Sequence, residues 1–175
     1  KGETKAIHQG TSWSDGDCYK YMEGLCRIYS NIGSGSERDE IKLELDSLIK
    51  IVAGAQEEDG YLQTQITIPY RSRWITRLFH EDYNLGHLFT AASVHYIATG
   101  ENSFINIAKK AADNLHDHFN VRQRDAGSFG WNPTHIPGLV DLYRVTGEER
   151  YLELAIVFLE RRGSKRPLLP ETFDL

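Results

Sequence analysis

The segment from Arg73 to Gly100 reads RWITRLFHEDYNLGHLFTAASVHYIATG. Its second half carries Leu88, Phe89, Ala92, Val94 and Ile97 at the spacing of a helix that buries an apolar face, closed by Thr99 and Gly100, where Gly suits a left-handed helix end. Its first half crowds Arg73, Trp74, Arg77, His80, Glu81, Tyr83 and His87 just ahead of that run. Polar chemistry is therefore expected at the mouth of a core helix. His80, Tyr83, Asn84 and His87 stand at i, i+3, i+4 and i+7, one face of an α-helix, where a single ligand would meet all four. The zinc pattern His-Glu-x-x-His is broken, because Asn84 occupies the place of its second His. At ~1.5 Å rise per residue, His80 and His87 are roughly 10 Å apart along the axis, which does not suit one shared zinc ion. The plainer alternative for each His is an interior polar group bonded to backbone.

Outward from this segment the chain reads as helices. Residues 1–12 form a polar lead-in without periodicity. From Trp13, apolar Cys18, Met22, Leu25, Cys26 and Tyr29 fall at helical spacing behind Asp15 and Asp17, whose position at a helix start suits capping. After a turn over Asn31 to Ser36, a second amphipathic helix runs through Ile41, Leu45, Leu48, Val52 and Ala55. It ends in the Asp59-Gly60 turn, followed by a long loop through Pro69. Beyond Gly100 a fourth helix carries Phe104, Ile105, Ala108, Ala112 and Leu115. After the polar stretch Asn120 to Trp131, a fifth starts near His135 with Thr134 as the expected N-cap and Pro137 in its first turn. A sixth carries Tyr151, Leu152, Ala155, Phe158 and Leu159, and residues 164–175 read as an irregular tail. Thr99-Gly100-Glu101 with Phe104-Ile105 recurs 47 residues later as Thr146-Gly147-Glu148 with Tyr151-Leu152. Each Thr follows a Tyr by three residues, Tyr96 and Tyr143. Such repetition points to stacked helical hairpins in an all-α chain.

With 175 residues, 40% of them hydrophobic and 26% charged, the chain suits one globular domain or part of one. A net charge of -5 without a basic block argues against nucleic acid as a partner. No apolar run approaches the roughly 20 residues of a membrane span, and the start KGETKAIHQG lacks the apolar core of a signal peptide. Lys1 rather than Met leaves periplasmic, extracellular and cytoplasmic locations open. Cys18 and Cys26, eight residues apart in one helix, would sit roughly 12 Å from each other. That is too far for a disulfide.

Three motifs, in order, carry a resemblance: Asp15-Gly16-Asp17-Cys18-Tyr19-Lys20, then Ala55-Gln56-Glu57-Glu58-Asp59-Gly60-Tyr61-Leu62, then Arg73-Trp74 leading to His80-Glu81-Asp82-Tyr83-Asn84-Leu85-Gly86-His87-Leu88. Together they resemble glycoside hydrolase family 127 and its relatives, the beta-L-arabinofuranosidase-like enzymes of bacterial carbohydrate degradation. The resemblance implies an (α/α)6 barrel, of which residues 1–175 would make an N-terminal half built of helical hairpins. It implies a glycosidase acting on plant-type glycans, with an oligosaccharide as the partner. It makes His80 a sugar contact and places Arg73, Trp74, Glu81, His87, His135, Asp15 and Asp17 among the substrate-binding candidates. The family's nucleophile, a zinc-bound Cys held with further Cys and a Glu, lies downstream of the matched motifs. No catalytic residue, metal ligand or cofactor is therefore assigned to this chain, and Cys18 and Cys26 match no part of that zinc motif. Where arabinofuranosidases show Gly-His-x-Glu-Ile-Glu, this chain has Asn132-Pro133-Thr134-His135-Ile136-Pro137, which leaves the sugar open.

Two other readings compete. One is another (α/α)6 carbohydrate enzyme, an epimerase or unsaturated uronyl hydrolase. The other is a non-catalytic helical-repeat scaffold, against which the polar crowding at Trp74, Arg77, His80, Glu81 and His87 speaks. A half barrel would leave an apolar face open to self-association. Paired carboxylates for acid–base hydrolysis would have to come from Asp15, Asp17, Asp59 and Glu81.

Overall fold

The computed structural model describes residues 7–121 and 132–162. The tail over 164–175, the first half of the lead-in and most of the polar stretch before Asn132 lie outside the described residues. Among those described, no strand forms, and the helices are α1 (Ser14–Asn31), α2 (Ser36–Ala55), α3 (Thr64–Thr67), α4 (Glu81–Thr99), α5 (Asn102–His116), α6 (His135–Thr146) and α7 (Glu149–Arg161). The all-α expectation holds. α2 starts one turn earlier than the apolar periodicity suggests, since Glu37 and Asp39 extend it toward Gly35 and favour the positive end of the helix dipole. The long loop after the Asp-Gly turn contains α3 and a 3-10 turn over Arg77–Phe79.

The helices form two layers. α4 packs against α1 on one side and α6 on the other, and α2, α5 and α7 return behind them as the second arms of three hairpins. This is the arrangement expected of half an (α/α)6 barrel. The burial patterns follow from the layering. α5 hides Phe104, Ile105, Ala108, Ala111, Ala112 and Leu115 along one face, as a helix covered on one side does. α4, flanked on both sides and backed by α5, is buried on most of its circumference, including Asp82, Asn84, Ser93 and His95. What remains partly open along it is a stripe of Tyr83, His87, Thr90, Val94 and Ile97.

Close approach between the inner helices depends on glycine. A Cβ on Gly86 would lie 2.3 Å from the Thr134 carbonyl carbon, and one on Gly138 would lie 2.5 Å from the Gly86 carbonyl oxygen. Only hydrogen atoms fit where α4 meets the start of α6. The outer ends are set by the repeat: Gly100 and Gly147, at φ 73° and 72°, donate to the carbonyls of Tyr96 and Tyr143. Thr99 and Thr146 hydroxyls donate one turn back, to His95 and Leu142, and accept from the amides of Glu101 and Glu148. The sequence repeat is thus one turn, built twice.

Candidate functional site

The first residues of α1, α4 and α6 come together at one end of the inner layer. Asn84 is completely buried there and spends its amide on three elements. Its Oδ1 accepts from the Gly16 amide at 2.9 Å, and its Nδ2 donates to the Ser12 carbonyl at 2.8 Å and to Gln63 Oε1 at 2.7 Å. Gln63 in turn donates to the Phe79 carbonyl at 2.8 Å. This knot fastens the lead-in, α1, the loop after α2 and the residue before His80 to one point. Asn84 therefore leaves the ligand-facing set proposed from spacing, because α1 covers it.

His80 is not the first residue of the helix but its N-cap, at φ 53° and ψ 30°. The left-handed region is uncommon for residues other than Gly, although His is among those that enter it more readily. The conformation is supported by a hydrogen bond from Nδ1 to the Leu78 carbonyl at 2.8 Å. A carbonyl only accepts, so Nδ1 carries a proton, and in that tautomer Nε2 is the acceptor. The ring lies edge-on between Trp13, at 5.3 Å, and Tyr83, at 5.8 Å, and Tyr83 continues the row to His87 at 4.7 Å. Despite the altered backbone, His80, Tyr83 and His87 still line up on the open stripe. Gly16 makes room for them: a Cβ there would sit 2.6 Å from Asn84 Oδ1 and 3.2 Å from the Tyr83 ring. Burial holds His87 below the usual imidazole range, with the charge of Lys20 adding to the effect.

One group on this face was not singled out from sequence. Lys20 Nζ contacts Asp17 Oδ1 at 2.6 Å and donates to the Tyr83 hydroxyl at 3.1 Å, joining α1 to α4 above the knot. Tyr-Lys in the first motif was the available signal.

Glu81 is 2% exposed and faces inward. Its Oε1 and Oε2 accept the Trp74 amide at 3.1 and 2.9 Å, and Oε1 also accepts the Tyr61 hydroxyl. Burial pushes the carboxyl up to about 7, against the downward pull of those bonds. Trp74 itself stands at φ 59°, with its ring packed edge-on against Tyr61 and Phe119. The strained loop between Tyr70 and His80 is thereby pinned to the start of α4, since a residue at positive φ persists only where its surroundings hold it. Arg73 points away from the stripe, bonding Asp59 Oδ2 at 2.5 Å with its guanidinium 3.9 Å from the Tyr61 ring centre.

Asp15 does not cap its own helix. Its two oxygens take the Thr64 amide at 2.7 Å and hydroxyl at 2.6 Å, fixing the start of α3. Asp17 is exposed, on the open face. His135 is 1% exposed, with its ring 4.5 Å from Phe158 and its Nδ1 3.4 Å from Asp82 Oδ2. Burial lowers the His135 imidazole to about 3 and raises the Asp82 carboxyl to about 7, so both are neutral over much of the acidic range. Thr134 does not cap α6 as expected. It is already helical in backbone, and its hydroxyl donates to the Tyr83 carbonyl at 3.0 Å. The structure thus brings His80, His87 and Asp17 together at the open face and places Trp74, Arg73, Glu81, Asp15 and His135 in the scaffold behind it.

Cys18 and Cys26 are free thiols on α1. Burial pushes Cys26 up to about 12 and also raises Cys18. Neither is an activated thiolate. Among the described residues, no group of three or more His, Cys, Asp or Glu is placed to share a metal ion. The zinc implied by the resemblance has no donor set there.

Residues 2–170 match the family described as beta-L-arabinofuranosidase, GH127 catalytic domain. The chain is 30% identical over 172 residues to the non-reducing end beta-L-arabinofuranosidase of Bifidobacterium longum subsp. longum, covering 93% of this chain and 25% of that protein. Among solved structures, a GH127 beta-L-arabinofuranosidase from Geobacillus stearothermophilus T6 superposes with a TM-score of 0.84 at 32% identity, covering 94% of this chain and 26% of that one. A second GH127 beta-arabinofuranosidase gives 0.75 at 33% identity, covering 93% and 27%. The chain spans about a quarter of the length of these relatives.

Proposed function

As the chain belongs to the beta-L-arabinofuranosidase family through its GH127 catalytic domain, we propose that it supplies the sugar-binding mouth of a glycoside hydrolase that releases arabinofuranose from plant-type glycans. The observation that carries this reading is the row His80, Tyr83, His87 on the open stripe of α4, with His80 Nδ1 engaged by the Leu78 carbonyl so that Nε2 is the nitrogen left for a ligand. A sugar hydroxyl is a suitable donor to that nitrogen. Binding and orientation are the work assigned here. No bond-breaking step falls to these residues: of the four candidate carboxylates, Asp15, Asp17 and Asp59 are committed to Thr64, Lys20 and Arg73, and Glu81 is buried. The nucleophile and its zinc belong, on this reading, to sequence outside this chain. The organisation 1–175 as one partial barrel unit is part of the same proposal.

The test is His80→Gly in the full-length protein. Glycine accepts φ 53° without strain, so the backbone should hold and the melting temperature should stay near wild type. Loss of a hydrogen bond to substrate is expected to lower kcat/KM for an arabinofuranoside by about 1–3 kcal/mol, roughly 5- to 150-fold. Unchanged kcat/KM in a folded variant would retire the sugar-contact role.

A further inference from the structure

Lys20 and Tyr83, which the family resemblance does not assign to the sugar, form with Asp17 a hydrogen-bonded group on the open face beside His80. Counting donors and acceptors shows what the group has left to offer. The Lys20 ammonium has three donors and uses two, one on Asp17 Oδ1 and one on the Tyr83 hydroxyl oxygen. The Tyr83 hydroxyl accepts from Lys20, so its own proton has no acceptor among the described residues. Asp17 Oδ2 is likewise unused. Two donors and one acceptor therefore remain, side by side, on residues that solvent reaches: the side chains of Lys20 and Asp17 are 41% and 54% exposed. A purely structural pair bridging two helices would not need a third partner so open, and the Tyr83 ring that ends in this hydroxyl is already clamped between His80 and His87.

We propose that Lys20 and Tyr83 are specificity-determining contacts that donate to a hydroxyl of a neutral furanose, while Asp17 holds the ammonium in place and His80 accepts from a neighbouring hydroxyl of the same ring. The inference rests on the carbohydrate-binding reading of this mouth and adds the residues that tell one hydroxyl pattern from another. The ligand class is a neutral sugar rather than a uronate. A carboxylate would face Asp17, and Lys20 already has that carboxylate as its counter-charge.

The experiment uses Tyr83→Phe and Lys20→Met in the full-length protein, assayed on 4-nitrophenyl beta-L-arabinofuranoside and on its 2-, 3- and 5-deoxy analogues. Each variant is expected to raise KM for the parent glycoside about ten-fold with kcat changed less than about two-fold, the loss of one hydrogen bond of roughly 1.4 kcal/mol. On the one deoxy analogue that lacks the contacted hydroxyl, variant and wild type should have equal KM. That convergence separates contact from scaffold, because a structural defect would penalise every analogue alike. An equal penalty on all analogues, or none on the parent, overturns the proposal. A loss confined to His80→Gly would leave the sugar-binding reading standing and remove Lys20 and Tyr83 from it. Wild-type protein that neither turns over the glycoside nor binds L-arabinose in an NMR titration would retire both.

Discussion

Replacing Gly86 by Ala should loosen the joint between α4 and α6. The added methyl would lie 2.3 Å from the Thr134 carbonyl carbon, 2.4 Å from the His135 amide nitrogen and 2.5 Å from the Thr134 oxygen, where ordinary contact begins at 3.4 Å. All three neighbours are backbone atoms and cannot rotate aside. The helices must part by about 1 Å, and a gap of that size forfeits a quarter to a half of each dispersion contact across the interface. Overpacking of this kind costs about 1–3 kcal/mol, and a joint of backbone on backbone belongs at the upper end. Alanine in a helix interior returns roughly 1 kcal/mol relative to glycine. The net loss is then about 2 kcal/mol, or roughly 4–8 °C of melting temperature for a cooperative unit of this size. Gly54→Ala is the matched control: in α2, with nothing within 4 Å of the added Cβ, it should hold or raise the melting temperature. Differential scanning calorimetry of both variants in the full-length protein decides the matter. Gly86→Ala melting at or above Gly54→Ala would refute the close approach of these helices.

The Glu81 carboxyl, raised to about 7 by burial, has an unfolded value near 4.3. Its neutral form therefore contributes stability that is complete below the unfolded value and lost as pH rises through about 7. Glu81→Gln has no charge to develop, so its stability relative to wild type should climb by up to about 3 kcal/mol between pH 5 and pH 8; parallel melting curves at the two pH values would contradict this. His135→Ala removes a buried ring packed on Phe158 and should lower the melting temperature while leaving KM for an arabinofuranoside within two-fold of wild type. A KM change without loss of stability would move His135 to the sugar.

The helices were legible because their signals are local. Apolar spacing marked α1, α2, α4, α5, α6 and α7, and the Thr-Gly-Glu repeat marked two hairpin turns whose hydrogen bonds are indeed the same. Helix starts were read less well for a physical reason. Asp15 and Thr134 have the residue types of N-caps, yet each finds a better partner from another element, Thr64 in one case and the Tyr83 carbonyl in the other. Cap preference describes an isolated helix end. Here the ends are packed together, and tertiary partners win.

The same packing explains why the face through His80, Tyr83, Asn84 and His87 divided. Periodicity says which side chains share a face of one helix, but not what lies opposite, and Gly16 brings the α1 backbone onto Asn84 while leaving the Tyr83 and His87 rings at its edge. Glycine at 16, 86 and 138 thus does two things at once. It draws the three inner helices close enough to bury Asp82, Asn84 and His135 between them, and among the described residues it leaves Tyr83 and His87 partly open on this end of α4. Lys20 could not be found from spacing because its partner is 63 residues away. The chemistry of the mouth is what the close-packed joints leave over, so a substitution that widens a joint should change the site as well as the stability.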